Sequence, residues 1–131
     1  MTKVTANLRY SKEHEWVLQL SGNRVRIGIS HYAQKQLGDI VFVENPAVGD
    51  EVTVNESMGT VESVKAVSEI YAPVSGTVVN VNEGLDDAPE TINEDPYEAG
   101  WLVEVEMSNL EELDSLLNED EYQTFIDEGE E

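Results

Sequence analysis

The segment Glu62-Ser63-Val64-Lys65-Ala66-Val67-Ser68-Glu69-Ile70-Tyr71-Ala72-Pro73-Val74-Ser75-Gly76 sets the architecture of this chain. Val, Ile, Thr and Tyr alternate through Met58–Val64 and again through Ala66–Tyr71, so each run fits a half-buried strand and the chain must turn between them. Lys65 falls at that turn. A hairpin tip displays its side chain to solvent on a rigid support, which makes this amine a good target for an enzyme that acylates one lysine among four.

Outward from the hairpin the pattern stays mostly strand. Glu15–Leu20 and Asn23–Ile29 predict a hairpin around Ser21-Gly22. Ser30 is an N-cap and Gly38 a C-terminal stop for a short helix over His31–Leu37. Strands follow at Ile40–Glu44, near Glu51–Val54 and at Thr77–Val81, with a turn-rich connection over Asn45–Asp50. Residues 82 to 100 show no sustained period and predict a long surface loop. Trp101–Met107 alternates as a strand with one acidic face. A capping-box spacing from Ser108 to Glu111 precedes Leu113, Leu116 and Leu117, and Tyr122, Phe125 and Ile126 make a second apolar stripe. Two short C-terminal helices with core-facing stripes are expected, with Asp127–Glu131 frayed.

With 131 residues, one domain spanning 1–131 is expected. The absence of cysteine excludes disulfides, thiolate metal sites and a cysteine nucleophile, so redox chemistry has to come from an attached group. His14 and His31 are the only histidines, and neither belongs to a nucleophile motif or a metal-ligand cluster. His14 reads as a structural hydrogen bonder beside Trp16. No catalytic residue and no metal ligand is assigned.

The formal charge is −21, and all seven bases lie at or before Lys65, leaving −20 on residues 66 to 131. A basic surface for nucleic acid or anionic membrane is missing. The imbalance exceeds what solubility requires and points to a salty cytosol, where self-repulsion is screened. No apolar run has signal-peptide or membrane-span length, so a cytoplasmic protein is expected, or an organellar one after removal of a leader.

At several of these residues the chain resembles the H protein of the glycine cleavage system. The likeness runs through Leu8-Arg9-Tyr10-Ser11-Lys12-Glu13-His14-Glu15-Trp16, Ile27-Gly28-Ile29-Ser30, Ala33-Gln34, Leu37-Gly38-Asp39-Ile40-Val41-Phe42-Val43-Glu44, the lysine segment, and Tyr97-Glu98-Ala99-Gly100-Trp101-Leu102. It implies a mostly β fold: a flattened lipoyl/biotinyl-type barrel-sandwich hybrid with a short internal helix and C-terminal helices. It also implies the internal pseudo-symmetry of lipoyl and biotinyl domains, hinted at here by the glycines Gly49 and Gly76 before alternating strands.

The resemblance further implies that Lys65 carries lipoic acid as N6-lipoyl-lysine, and that lipoylating enzymes read Glu62 and Gly76. For Glu62 the structural alternative is a strand-surface acid, and for Gly76 a turn glycine needing positive φ. By the same resemblance, Glu15 and Glu69 line a cleft that shelters the aminomethyl arm from water, where a carboxylate faces its ammonium end. Implied partners are the pyridoxal-phosphate glycine decarboxylase (P protein), the tetrahydrofolate-dependent aminomethyltransferase (T protein), the flavin dihydrolipoamide dehydrogenase (L protein) and a lipoylating enzyme, with the chain a monomer when free. His31-Tyr32-Ala33-Gln34 departs from the family pattern, which has histidine at the Tyr32 position.

A non-enzymatic lipoyl carrier is thus the leading reading. A lipoyl relay protein that passes lipoate to other acceptors uses the same lysine. The lipoyl or biotinyl domain of an acyltransferase or carboxylase is a further alternative, although no Pro/Ala-rich linker is present, and Val64 and Ala66 stand where biotinyl sites commonly have methionine.

Overall fold

The structure, a computed structural model, describes residues 8–97 and 99–129. Nine strands, β1 Leu8–Tyr10, β2 Glu15–Ser21, β3 Arg24–Ile29, β4 Ile40–Glu44, β5 Glu51–Val52, β6 Ser57–Ser63, β7 Val67–Tyr71, β8 Gly76–Val81 and β9 Val103–Met107, form two sheets among the described residues. A six-stranded sheet runs β1-β2-β3-β9-β8-β5, and a three-stranded sheet runs β4-β6-β7. Every pairing is antiparallel. One apolar cluster lies between the sheets, with Val25, Ile27, Val78, Val103 and Val105 from the larger meeting Val43, Val61 and Ile70 from the smaller. The sheets remain separate, so the barrel-sandwich takes its sandwich form.

The α1 helix, His31–Leu37, forms as the sequence predicts: the Ser30 hydroxyl accepts from Ala33 N–H, and Gly38 ends the helix by donating its N–H to the Gln34 carbonyl. Gly38 stands at φ 81, a left-handed conformation natural to glycine. On the other side of the core, Trp16 pairs with Gly28 across β2 and β3, and the buried indole covers the space where a Gly28 side chain would be. Its N–H donates to the Pro96 carbonyl at 3.0 Å.

Several expectations need correction. Residues 82 to 100 are not an unstructured loop: α2, Gly84–Asp87, and α3, Thr91–Glu94, are single turns that sink Leu85 and Ile92 into the core. The last strand starts at Val103 rather than Trp101, and β5 ends at Val52 rather than Val54. The acidic face expected there is divided, since Glu106 is exposed whereas Glu104 is buried and held by Arg26 at 3.0 and 2.8 Å. Arg26 also lies over the Trp101 ring, 5.0 Å from its centroid.

The Ser108–Glu111 capping box does not form. Asn109 caps instead, accepting from Glu111 N–H, and the segment Leu110–Ser115 winds as a 3-10 helix. An α-helix, α4, then runs Glu119–Gly129, so Asp127 and Glu128 are helical, while the expected fraying of residues 130 and 131 lies outside the described residues. The two glycines thought to mark a repeat have different backbones: Gly49 has φ 97, whereas Gly76 is not in the positive-φ region.

Candidate functional site

Lys65 sits where the alternation breaks. β6 stops at Ser63 and β7 starts at Val67, leaving Val64-Lys65-Ala66 as the turn. Ser63 builds it: its Oγ accepts from the N–H groups of Lys65 and Ala66, each at 3.1 Å, and its N–H donates to the Ala66 carbonyl at 2.8 Å. Val64 N–H reaches the Asp39 carbonyl at 3.0 Å, tying the turn to the end of α1. The Lys65 stem lies over Gly38, its Cε 3.5 Å from where a Gly38 Cβ would stand.

Asn93, which the sequence reading passed over, fixes that seat. Its amide donates to the Gln34 side-chain oxygen at 2.9 Å and the Gly38 carbonyl at 2.8 Å, and its oxygen accepts from Ile40 N–H at 2.8 Å. An asparagine in an aperiodic stretch carries no sequence signal for such a role, because all three partners come from elements more than 50 residues away in the chain.

Cross-strand register places the remaining predicted residues. Phe42 pairs with Glu62, and Glu62 with Val67, so these three stand in one row on the outer face of the smaller sheet. The next row is Glu44, Thr60 and Glu69. Along β7, Val67, Glu69 and Tyr71 share the outer face while Ile70 is buried. This strand leads from the lysine turn to a cavity, its four residue steps covering about 13 Å.

The cavity, about 490 Å³, is lined by the β1–β2 turn with Ser11 and Glu13, by Glu15 and Tyr71, and by Leu116 and Leu117 near the 3-10 helix, among others. Glu15 is 2% exposed. One of its carboxyl oxygens accepts from the Ser11 hydroxyl and the other from Tyr71 N–H at 3.1 Å. Neither donor is charged. Glu69 is exposed midway along β7 and is not among the cavity-lining residues, so the structure does not bring the two predicted cleft acids together.

Burial pushes the Glu15 carboxyl up to about 8, against the opposing pull of the Ser11 and Tyr71 hydrogen bonds. Folded protein therefore keeps a proton that the unfolded chain, with its ordinary value of 4.5, gives up. Stability from this group is complete below pH 4.5 and is lost as pH rises toward 8, with a slope near 1.4 kcal/mol per pH unit. Relative to Glu15→Gln, the wild type should lose on the order of 4 kcal/mol between those limits. Urea unfolding of both proteins across that range measures the difference, and parallel curves would place an ionised carboxylate in the folded state.

His14, at φ 72, makes a structural hydrogen bond, as expected, and its partner lies far away in the chain. Its Nδ1 meets the Tyr122 hydroxyl at 2.9 Å, and that hydroxyl meets Ser30 Oγ at 2.6 Å, joining α4 to the N-cap of α1. Tyr32, the departure from the family pattern, packs against the His14 ring at 4.8 Å. Burial holds the His14 imidazole below its ordinary value, with Glu13 opposing. Gly76 stands on the larger sheet, and a Cβ there would meet Val105 Cγ1 at 2.7 Å and come closer still to the Glu106 carbonyl oxygen. Its requirement is therefore close strand approach rather than positive φ.

A family model described as glycine cleavage H-protein matches residues 8–129. The chain belongs to the glycine cleavage H-protein family. A glycine cleavage system H protein of Geobacillus kaustophilus is 60% identical over 122 residues, covering 93% of this chain and 95% of the relative. One of Halalkalibacterium halodurans is 56% identical over 128 residues, covering 98% and 99%. The crystal structure of an H protein from Mycobacterium marinum superposes with a TM-score of 0.84 at 41% identity, covering 92% of this chain and 97% of that one. Membership in the H-protein family thus extends over both sheets and the C-terminal helix, and the fold implied by the resemblance is the family's own.

Proposed function

We propose that this chain is the lipoyl carrier protein of the glycine cleavage system, taking the aminomethyl group of glycine from the pyridoxal-phosphate glycine decarboxylase to the tetrahydrofolate-dependent aminomethyltransferase, with Lys65 as the attachment point. The observation that carries this is an exposed lysine on a turn braced by Ser63 and Asp39, joined by one strand to a cavity with a buried carboxyl. Family membership supports the system, and the exposed, braced turn supports Lys65 as the residue. Attached lipoate brings the disulfide chemistry that a cysteine-free chain lacks. The residues fit it: nothing in the turn uses the Lys65 amine, and the outer face of β7 offers a track toward the cavity.

Glu15 then has a definite task. A buried carboxyl that holds its proton gives it up when an ammonium group arrives, because the pair is far better stabilised than a lone carboxylate. Loading of the cavity with a cationic group is in this way linked to proton release at Glu15. Glu69, outside the cavity, is a carboxylate along the way. Glu62 remains the recognition candidate for the lipoylating enzyme, and steric contact with β9 supports a structural reason for Gly76.

The protein acts as a non-catalytic partner of the decarboxylase, the aminomethyltransferase and the dihydrolipoamide dehydrogenase, in the cytoplasm, as one carrier domain. Among the described residues no helix is long and apolar enough to cross a membrane. The test combines the lipoylated protein with decarboxylase, pyridoxal phosphate and glycine. Release of CO2 and an aminomethyl mass increment on the Lys65 peptide are expected, with neither when a 2-oxoacid and its thiamine-dependent decarboxylase are substituted. Acyl loading in the second mixture and none in the first would move the chain to the acyl carriers.

A further inference from the structure

Exposed apolar side chains gather around Lys65. Among the described residues seven large hydrophobics are exposed, and four of them are Val41, Phe42, Val64 and Val67, at 52%, 49%, 67% and 66%. Val64 belongs to the lysine turn, Val67 follows it, and Phe42 stands two strands across in the same row. A backbone irregularity aims the β4 pair outward. β4 pairs Ile40 with Ser63 but Phe42 with Glu62, so Val41 is an extra residue in that strand. The bulge leaves Val41 and Phe42 both exposed, while Ile40 and Val43 on either side are buried. An edge strand with two adjacent exposed apolar side chains is an aggregation hazard unless a partner covers it.

Glu62 lies at the centre of the Phe42–Glu62–Val67 row, and Glu44 and Glu69 bound the next. In a chain of net charge −21, this face therefore pairs apolar contacts with carboxylates and suits a surface with an apolar rim and basic side chains. Reach selects among partners. An enzyme acting on the bare amine has only the lysine stem, which lies along Gly38, between its active site and this face. Enzymes that act on the extended arm are under no such constraint.

Resting on the carrier reading of Lys65, we propose that Phe42, Val64 and Val67, with Glu62 among them, form the docking face for the enzyme that acylates Lys65, a basic residue of that enzyme meeting Glu62. In the reaction served by this face, the neutral Lys65 amine attacks the acyl carbon of a lipoyl adenylate. The N–C bond forms, the bond from that carbon to the phosphate oxygen breaks with its electron pair leaving on AMP, and the amine's proton passes to solvent. The carrier chain contributes position and contact, and no catalytic group.

The experiment measures acylation of Lys65 by a purified lipoyl-adenylate-dependent ligase, followed by intact mass, on the full chain and on Phe42→Thr/Val67→Thr. Threonine keeps strand propensity at exposed sites, so circular dichroism should be unchanged. The double variant should show about tenfold lower kcat/KM, through KM, with kcat retained. Glu62→Gln should lower kcat/KM and flatten its dependence on salt. Leu20→Thr and Leu110→Thr, which remove exposed apolar side chains elsewhere, should leave it unchanged, as should the rate at which an amine-directed acetylating reagent modifies Lys65 in every variant. Wild-type acylation at Lys65 with an unchanged rate in the double variant, or an equal loss in the Leu20 and Leu110 variants, would overturn the docking face while leaving the carrier reading intact. A ligase that leaves wild-type Lys65 bare would overturn both.

Discussion

Lys65→Arg should leave the fold unchanged and remove every trace of carrier activity. The turn depends on Ser63 Oγ, the Ala66 carbonyl and the Asp39 carbonyl, all bonded to backbone N–H groups, so nothing that shapes it is lost when the amine is replaced. The arginine stem can follow the same course over Gly38, and as an exposed substitution away from core and caps it should change stability by no more than about 0.5 kcal/mol. Chemistry separates the two side chains. A guanidinium keeps its proton at any physiological pH and has no free electron pair with which to attack an acyl carbon. Glycine–bicarbonate exchange with the decarboxylase should therefore fall to the level seen without carrier, and intact mass should show no lipoyl increment after incubation with the ligase. Exchange retained in this variant would remove Lys65 from the function altogether.

How much of this was open to reading depends on how local each signal is. The lysine hairpin is legible because β-branched alternation runs on both sides of it and fails for three residues. The α1 helix is legible because both of its caps are in the sequence, Ser30 and Gly38. Residues 82 to 100 are not, since α2 and α3 each bury a single apolar side chain, Leu85 or Ile92, and one turn is too short to show a period. The 3-10 helix evades prediction for a related reason: Ser108 and Asn109 are both good caps, and only the packing of Leu113 and Leu116 on the core selects Asn109.

Within the site the same rule holds. Glu62 and Glu69 alternate visibly along their strands and land on the outer face as the pattern requires. Glu15 is different. It opens a strand like any surface acid, and its raised carboxyl value follows from a cavity closed by residues around position 115, a contact that periodicity cannot register. Ser11 reaches Glu15 locally, its Oγ also accepting from the Glu13 and Glu15 N–H groups. The family resemblance singled out Glu15, and the structure places it buried at the wall of a cavity.

Gly76→Ala should be the most damaging single methyl added to this protein. Gly76 starts β8, which lies between β5 and β9, and it pairs with Val52 on one side and Met107 on the other. An alanine Cβ would press on the Glu106 carbonyl and stand 2.7 Å from Val105 Cγ1 and 2.9 Å from the Glu106 carbonyl carbon. A flexible side-chain end can move aside, but the Glu106 carbonyl belongs to β9, which is paired along both edges, and it cannot shift without disturbing that pairing. The cost should thus sit at the upper end for overpacking, about 3 kcal/mol, a large part of the stability of a domain this size. Urea denaturation at fixed pH measures it as a lower midpoint with an unchanged slope. The experiment also separates two roles for this glycine. If the contact with β9 is the whole reason for it, variant protein held in conditions where it is fully folded should accept lipoate on Lys65 at nearly the wild-type rate. A variant as stable as wild type yet unable to accept lipoate would instead make Gly76 a residue that the ligase reads directly.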